Sequence, residues 1–391
     1  MKSPVAANTE QAPDLPGLDG ALAAMLRGQQ PAWQDAWIGV SGEAAAVDRI
    51  RYHGVALALI ESGQEFPGWP DIVVESIREE ARLQVLWEAS HKDALSPLLE
   101  RFGAQQVDCL MMKGTATAYL LHETPAVRRR GDSDLLIRPH QLAAARETLQ
   151  ESGWTRHEVD YFGQESWLFD TGMGFVHTVD LHWRSVGTPF LAKTFGDDEL
   201  FETSVPLPRL CAEARTLAPP LLLLRGVLNQ ALHGLSGYIQ GDAPVFARDR
   251  LIWLLDTALL MQRFSDADWD AVVAAAEARG MRKLCLEELR KAEMHFDATL
   301  PESVATRLGA DRDATGVESY FARGSAAARL WMDVGALEGV TPRLAFLRRH
   351  VFPAEDALAR RFPNAAHWPA PVLHARRIAS GLKNLIGRKG G

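Results

Sequence analysis

Asp132 and Asp134 stand two positions apart in Gly131-Asp132-Ser133-Asp134-Leu135-Leu136-Ile137. On an extended strand, side chains at i and i+2 leave the same face, so both carboxylates point to one spot. Two like charges there are unfavourable unless a cation or a shared proton offsets them. Hard divalent ions such as Mg²⁺ prefer carboxylate oxygens and keep waters and substrate phosphates as their other ligands. The pair therefore suits phosphoryl or nucleotidyl transfer, in which metal ions bridge the attacking group and the phosphate. Asp-x-Asp triplets also arise in exposed turns. Here Leu135-Leu136-Ile137 follow at once, which predicts a buried strand with acids at its mouth.

A second segment, Phe175-Val176-His177-Thr178-Val179-Asp180-Leu181-His182-Trp183, alternates strictly. Thr178, Asp180 and His182 share one face, and Val179, Leu181 and Trp183 the other. Asp180 is a third carboxylate that could complete a metal site or take a proton from an attacking hydroxyl. His182 reads equally as a structural histidine or as one lining the site. Lys113-Gly114-Thr115 marks a strand end turning into a helix, where exposed amide N–H groups favour phosphate and glycine admits a close approach. Arg128-Arg129-Arg130 directly precede the carboxylates and either balance them, grip a triphosphate or form a solvated loop.

These residues need elements to carry them. Residues 44–102 pattern as helix, with Ile72, Val73, Ile77, Leu83, Val85 and Leu86 near helical spacing and Ser96-Pro97 restarting a helix. The middle differs: Val107–Met112 reads as a short buried strand, Thr115–Leu121 as a helix and Ser133–Ile137 as a second strand. Gln141–Glu151 is a helix stopping at Gly153, and 154–159, 166–169 and 175–183 are extended candidates separated by turn residues. Beyond Pro189 the pattern is helical again, with helices expected at 217–232, 249–264, 266–279 and 281–295. The expected layout is a lead-in over 1–20, disordered from its Ala, Pro, Asn, Thr and Gln content, then a helical region over 21–102. An α+β core follows over 103–190, then a helical domain over 191–372 and a basic amphipathic tail over 373–391. The fold class expected is α+β, a small mixed sheet flanked by helices.

Bulk properties narrow the partners. The chain has 391 residues, 47% hydrophobic and 24% charged, an ordinary globular balance. A net charge of −8 disfavours a long nucleic acid as partner. The three cysteines, Cys109, Cys211 and Cys285, lack zinc or disulfide spacing and fit a reducing cytoplasm. No apolar run reaches a membrane span, and the first residues lack the build of a signal peptide.

The order of these motifs resembles that of an uncharacterised bacterial nucleotidyltransferase family within the polymerase-β-like superfamily. The resemblance rests on Met112-Lys113-Gly114, Tyr119, Arg128, Gly131 to Ile137, Leu149 to Gly153-Trp154, and Asp180-Leu181-His182-Trp183. It is close from about residue 100 to 185 and looser beyond, where His233 and Asp256 fall in helices like those carrying a histidine and an aspartate in the family. Three features depart from the pattern, two of them in residue type: the third carboxylate is more often Glu, and the usual Gly-Ser is Gly114-Thr115. The separation of Gly114 from Asp132 is also longer than in compact members.

The resemblance implies NMP transfer from an NTP, expected to be ATP, with Mg²⁺ or Mn²⁺ as cofactor. Asp132, Asp134 and Asp180 would be the catalytic, metal-binding carboxylates. Lys113, Gly114, Thr115, Arg128 and Gly131 would bind the nucleotide, and His182, His233 and Asp256 are candidate lining residues. From the residues alone, His233 ends an apolar run it could simply cap, and Asp256 suggests a buried partner such as Arg225 or His233. The acceptor would be a protein, peptide or small molecule lying between the α+β unit and the C-terminal helices. A non-catalytic binding protein and a phosphotransferase using the same metal remain the alternatives.

Overall fold

The computed structural model describes residues 15, 17–63, 65–158, 163–240, 243–245, 249–352, 368–369 and 371–377. Described residues up to Gly187, with Ala192–Ala322, make one compact unit; Thr188–Leu191 and the residues from Arg323 onward make a second. The chain opens with helices α1 (Leu18–Leu26), α2 (Val40–His53), α3 (Ala56–Glu61) and α4 (Asp71–Ala104). Strand β1 (Cys109–Met112) runs directly into α5 (Lys113–Leu121), and β2 (Asp132–Ile137) precedes α6 (Leu142–Glu151). Then come β3 (Thr155–Glu158), β4 (Gln164–Asp170), β5 (Val176–His182), α7 (Pro189–Ala192), α8 (Asp197–Glu202), β6 (Val205–Pro206) and β7 (Arg215–Thr216). Helix α9 (Pro219–Ser236), a short hairpin of β8 (Tyr238–Gln240) and β9 (Ala243–Val245), and α10 (Leu251–Met261) follow. Helices α11 (Asp266–Arg279), α12 (Arg282–Phe296), α13 (Glu302–Gly309) and α14 (Gly316–Ala322) complete the first unit. The second contains α15 (Ala326–Ala336) and α16 (Val340–Val351).

The α+β class holds: seven strands form one mixed sheet in the order β3-β4-β5-β2-β1-β7-β6. Its centre is β2, antiparallel to β1 and parallel to β5. Leu135, Leu136 and Ile137 are fully buried, as an apolar run in a central strand must be. The parallel register sets Asp132 beside Thr178 and Asp134 beside Asp180. Among the described residues, no helix is long and apolar enough to cross a membrane.

Several expectations change. Helix α4 runs unbroken through Pro97, because Leu95, Leu98, Leu99 and Phe102 are buried on both sides of it and hold the helix in place. Of the apolar face expected on α4, only Val73 and Ile77 are buried, whereas Ile72, Leu83, Val85 and Leu86 are exposed. The buried stripe passes instead through Ala81, Gln84, Glu88 and His91, where the helix meets polar groups behind β2. Strands β6 and β7 lie in the stretch expected to be helical and extend the sheet beyond β1. Leu18 begins α1 inside the expected lead-in and is fully buried; residues 1–14 and 16 lie outside the described residues. So do Val159 of the third strand candidate and most of the basic tail, of which 373–377 are helical.

Candidate functional site

Strands β2 and β5 bring their acids together through register alone. Asp134 and Asp180 are direct neighbours across the parallel pair, and Asp132 stands one pleat nearer the mouth. Asp134 is buried, and its Oδ1 accepts from Lys113 Nζ at 2.5 Å and lies 2.8 Å from His182 Nε2. Asp180 accepts from Ser166 Oγ on β4 at 2.5 Å. One ligand atom each from Asp134, Asp180 and His182 lie within 4.8 Å of one another, a hard-donor cluster suited to a divalent cation. Asp132 lies outside that cluster, on the side open to solvent.

Electrostatics set the three acids apart. Burial alone would raise the Asp134 carboxyl, but the Lys113 ammonium and the His182 ring outweigh it and hold it far below the usual range. For Asp180, burial, then Asp134 and Asp132, outweigh the Ser166 hydrogen bond and the Lys113 charge and push it up to about 7. Asp132 keeps one side open yet is otherwise enclosed by protein; this thin solvation, with Asp134 next to it, raises it too. Burial lowers His182 and keeps it neutral. Donating from Nε2 to Asp134 would then leave its Nδ1 as a bare acceptor.

Behind β2, α4 supplies the support that its polar stripe implied. His91 Nε2 meets Ser133 Oγ at 2.7 Å, and its ring stacks on Trp87 with centroids 4.6 Å apart. Glu88 accepts from the Tyr119 hydroxyl at 2.5 Å and pairs with Arg130 at 2.7 Å. Thr115 belongs to this network rather than to the mouth: it is buried, its hydroxyl lies 2.8 Å from Ser133 Oγ, and it accepts from Arg130 Nε at 3.0 Å.

Of the Lys113-Gly114-Thr115 turn, Lys113 and Gly114 face the cavity. Lys113 adopts the left-handed φ of 50°, uncommon for a residue with a side chain, as the chain passes from β1 to α5 without a loop. The first turn of α5 has no side-chain cap. A Cβ on Gly114 would lie 3.4 Å from Arg130 Cβ and 3.5 Å from Arg128 Nη1, so glycine leaves its backbone bare beside two arginines. Gly131 also borders the cavity, with open space where a Cβ would stand.

The cavity, of about 450 Å³, lies between the mouth of β2, α5, α9 and α10. Helix α9 turns Arg225, Asn229, Gln230 and His233 toward it, a stripe at helical spacing. Helix α10 contributes Trp253, Asp256 and Thr257. The first turn of α10 is tied down by His53 Nδ1, which accepts from Leu251 N at 3.1 Å, while His53 Nε2 sits 2.8 Å from Asp19.

Asp256 does have buried partners, but they are neither Arg225 nor His233. It accepts from Arg128 Nε at 2.7 Å, Thr117 Oγ1 at 2.9 Å and His122 Nε2 at 3.0 Å. Burial would raise its carboxyl, yet Arg128 and His122 bring it below the usual range. Arg128 is thus committed to Asp256, Arg129 to Glu80 at 2.7 Å and Arg130 to Glu88. His233 lies inside the last turn of α9, which runs on to Ser236, and stacks on Trp253 with centroids 5.4 Å apart. Burial, then the cations Lys113, Arg225 and Arg250, push it down to about 4, so it is neutral at physiological pH.

Arg225 was not among the residues picked from sequence as forming the site. It is buried on the cavity wall, and Nε and Nη2 both donate to the Ser185 carbonyl, at 3.0 and 2.7 Å. Burial lowers it to about 10, with only the more distant charge of Asp134 opposing. Its signal in the sequence was an arginine inside the apolar run Leu221 to Leu232, in step with Asn229 and His233.

The family model described as uncharacterised nucleotidyltransferase matches residues 43–297, a span that includes β1 to β7 and α9 to α12. The chain is also similar to a solved antigenic nucleotidyltransferase-like protein from Paracoccidioides brasiliensis. That likeness has 17% identity and a TM-score of 0.32, covering 55% of this chain and 95% of the other. No curated protein matches the chain.

Proposed function

We propose that this chain, which belongs to the uncharacterised nucleotidyltransferase family, transfers an NMP unit from an NTP to an acceptor hydroxyl or phosphate and releases pyrophosphate. The observation that carries the reading is the in-register pair Asp134 and Asp180, with Asp132 one pleat away at the mouth of a cavity. The donor is ATP with Mg²⁺ or Mn²⁺, in the cytoplasm, and the acceptor a small molecule, peptide or protein group that reaches the cavity. The cluster of Asp134, Asp180 and the neutral His182 fits such an ion, and Asp132, outside that cluster at the mouth, would be the further carboxylate ligand. When bound, the ion supplies Lewis-acid charge to the transferring phosphoryl group.

The chain's own residues account for the rest. Asp180, raised to about 7 in the metal-free site, serves either as a ligand or as the acceptor of the attacking hydroxyl's proton. The acceptor oxygen bonds to the α-phosphorus, the bond from that phosphorus to the bridging oxygen breaks, and pyrophosphate leaves with the electron pair. Lys113, Gly114 and the uncapped first turn of α5 offer charge and N–H groups to the triphosphate. Arg128 and Gly131 border the same space, Arg128 with its geometry set by Asp256. Thr115 acts through Ser133, by shaping the strand. His233 and Asp256 line the far wall.

A thermal-shift series with Mg²⁺ and each NTP tests the reading. The wild type should be stabilised by at least one Mg·NTP, and Asp132→Asn/Asp134→Asn should lose that effect while staying folded. A wild type indifferent to every Mg·NTP would end the proposal.

A further inference from the structure

At the end of β5, just after it and along α9, four buried polar atoms have no hydrogen-bond partner among the described residues: His182 Nδ1, Ser185 Oγ, Arg225 Nη1 and Gln230 Oε1. Native proteins leave few such groups unpaired, and two of these, on Arg225 and Gln230, belong to residues that line the cavity, which points to something that fills it. Arg225 is the decisive member. Each of the three arginines before β2 has a carboxylate, whereas among the described residues the only hydrogen bonds of Arg225 go to one neutral carbonyl. Tying α9 to Ser185 would need only a neutral donor. A buried cation with no counter-ion among the described residues is costly, and Asp134, the acid whose charge acts on it, is already paired with Lys113. The guanidinium therefore serves an anion that arrives from outside.

We infer that Arg225 is a phosphate-binding residue, the anchor of a subsite on the cavity-facing stripe of α9 that also includes Gln230 and takes a phosphate group of a small molecule. The planar fork of arginine matches phosphate oxygens, and Nη1 is the donor left over. Gln230 Oε1, an acceptor, takes a hydroxyl or amine of the same ligand. The phosphate comes either from the polyphosphate tail of the donor nucleotide or from a phosphorylated acceptor. The assignment rests on the nucleotidyltransferase reading only for which molecule brings it.

Calorimetry in EDTA, with sodium tripolyphosphate and phenyl phosphate as probes, tests the subsite without the metal. The wild type binds at least one of them, and Arg225→Met weakens that binding about 10- to 100-fold, the scale of a charged hydrogen bond. Equal affinity in Arg225→Met, or no affinity for either probe in the wild type, overturns the inference. Arg225→Lys keeps the charge and a donor toward Ser185, and it carries the test if the Met variant does not fold. A several-fold loss of affinity at an unchanged melting temperature supports the subsite, and unchanged affinity refutes it. Tripolyphosphate displaced by Mg²⁺ with α,β-methylene ATP assigns the subsite to the donor tail. Phenyl phosphate bound alongside that analogue assigns it to the acceptor. Stabilisation by Mg·NTP that depends on Asp132 and Asp134, with neither probe bound through Arg225, would remove this inference and leave the proposed function standing. Probe binding that depends on Arg225, without any Mg·NTP effect, would do the reverse.

Discussion

Replacing Asp180 by Asn should make the metal-free protein more stable and abolish its response to metal. Asp180 titrates near 7 in the fold, against 3.8 for an unperturbed aspartate, because it is buried beside Asp134 and Asp132. The sign follows from linkage: a carboxyl raised in the folded state imposes no penalty below its unfolded pKa. The penalty grows as pH rises from there and is complete above the folded value. At about 1.4 kcal/mol per pH unit, the cost is about 4 kcal/mol near pH 8 and under about 2 kcal/mol near pH 5. Asn removes that cost and still offers Oδ1 to the Ser166 hydroxyl. Equilibrium denaturation in EDTA should therefore show Asp180→Asn ahead of the wild type near pH 8, by a margin that shrinks near pH 5. Added Mg²⁺ should raise the wild type and leave the variant unmoved, reversing or closing the gap. A variant less stable than the wild type in EDTA near pH 8 would mean that Asp180 is an ordinary structural anchor.

Further consequences can be measured on the same protein. Asp256→Asn leaves Arg128 buried without its charge partner and should cost about 3–5 kcal/mol of stability; a loss under about 1 kcal/mol would show that the pair is not structural. Lys113→Met removes the cation that holds Asp134 ionised. Stability from a depressed carboxyl is present above its unfolded pKa and lost as pH falls through the folded one, so this variant should unfold at a higher pH during acid titration. An unchanged acid midpoint would contradict the Lys113–Asp134 pairing. Leu135→Ala should cost about 2–5 kcal/mol through the cavity it leaves in the central strand. Asp132→Asn, on the open side, should change melting in EDTA little or raise it slightly while removing metal binding, as calorimetry with Mn²⁺ would show.

Much of the site could be read locally. Asp132 and Asp134 stood beside three apolar residues, so the strand and the face of its acids followed from alternation. Asp180 and His182 were found the same way on β5. What spacing could not supply is which distant group each side chain meets. The buried stripe of α4 passes through Gln84, Glu88 and His91, which look like solvent-facing residues until Ser133 and Arg130 are set against them. For the same reason Thr115 reads as a phosphate ligand in sequence and lies beneath the strand in the fold. Asp256 needed Arg128, far away along the chain. Strands β6 and β7 are two residues each, too short for any alternation to register. Arg225, one charge in an apolar helix, looked like a stray partner for an acid until its carboxylate-free setting was seen.

The central claim is that the carboxylates of β2 and β5 serve transfer of the α-phosphorus. Incubating the protein with Mg²⁺, host lysate and NTPs labelled at either the α or the γ phosphate tests it most directly. Label should pass to a product from the α position only, with pyrophosphate released, and should vanish with Asp132→Asn/Asp134→Asn. Transfer from the γ position alone would contradict it and make the same carboxylates those of a kinase.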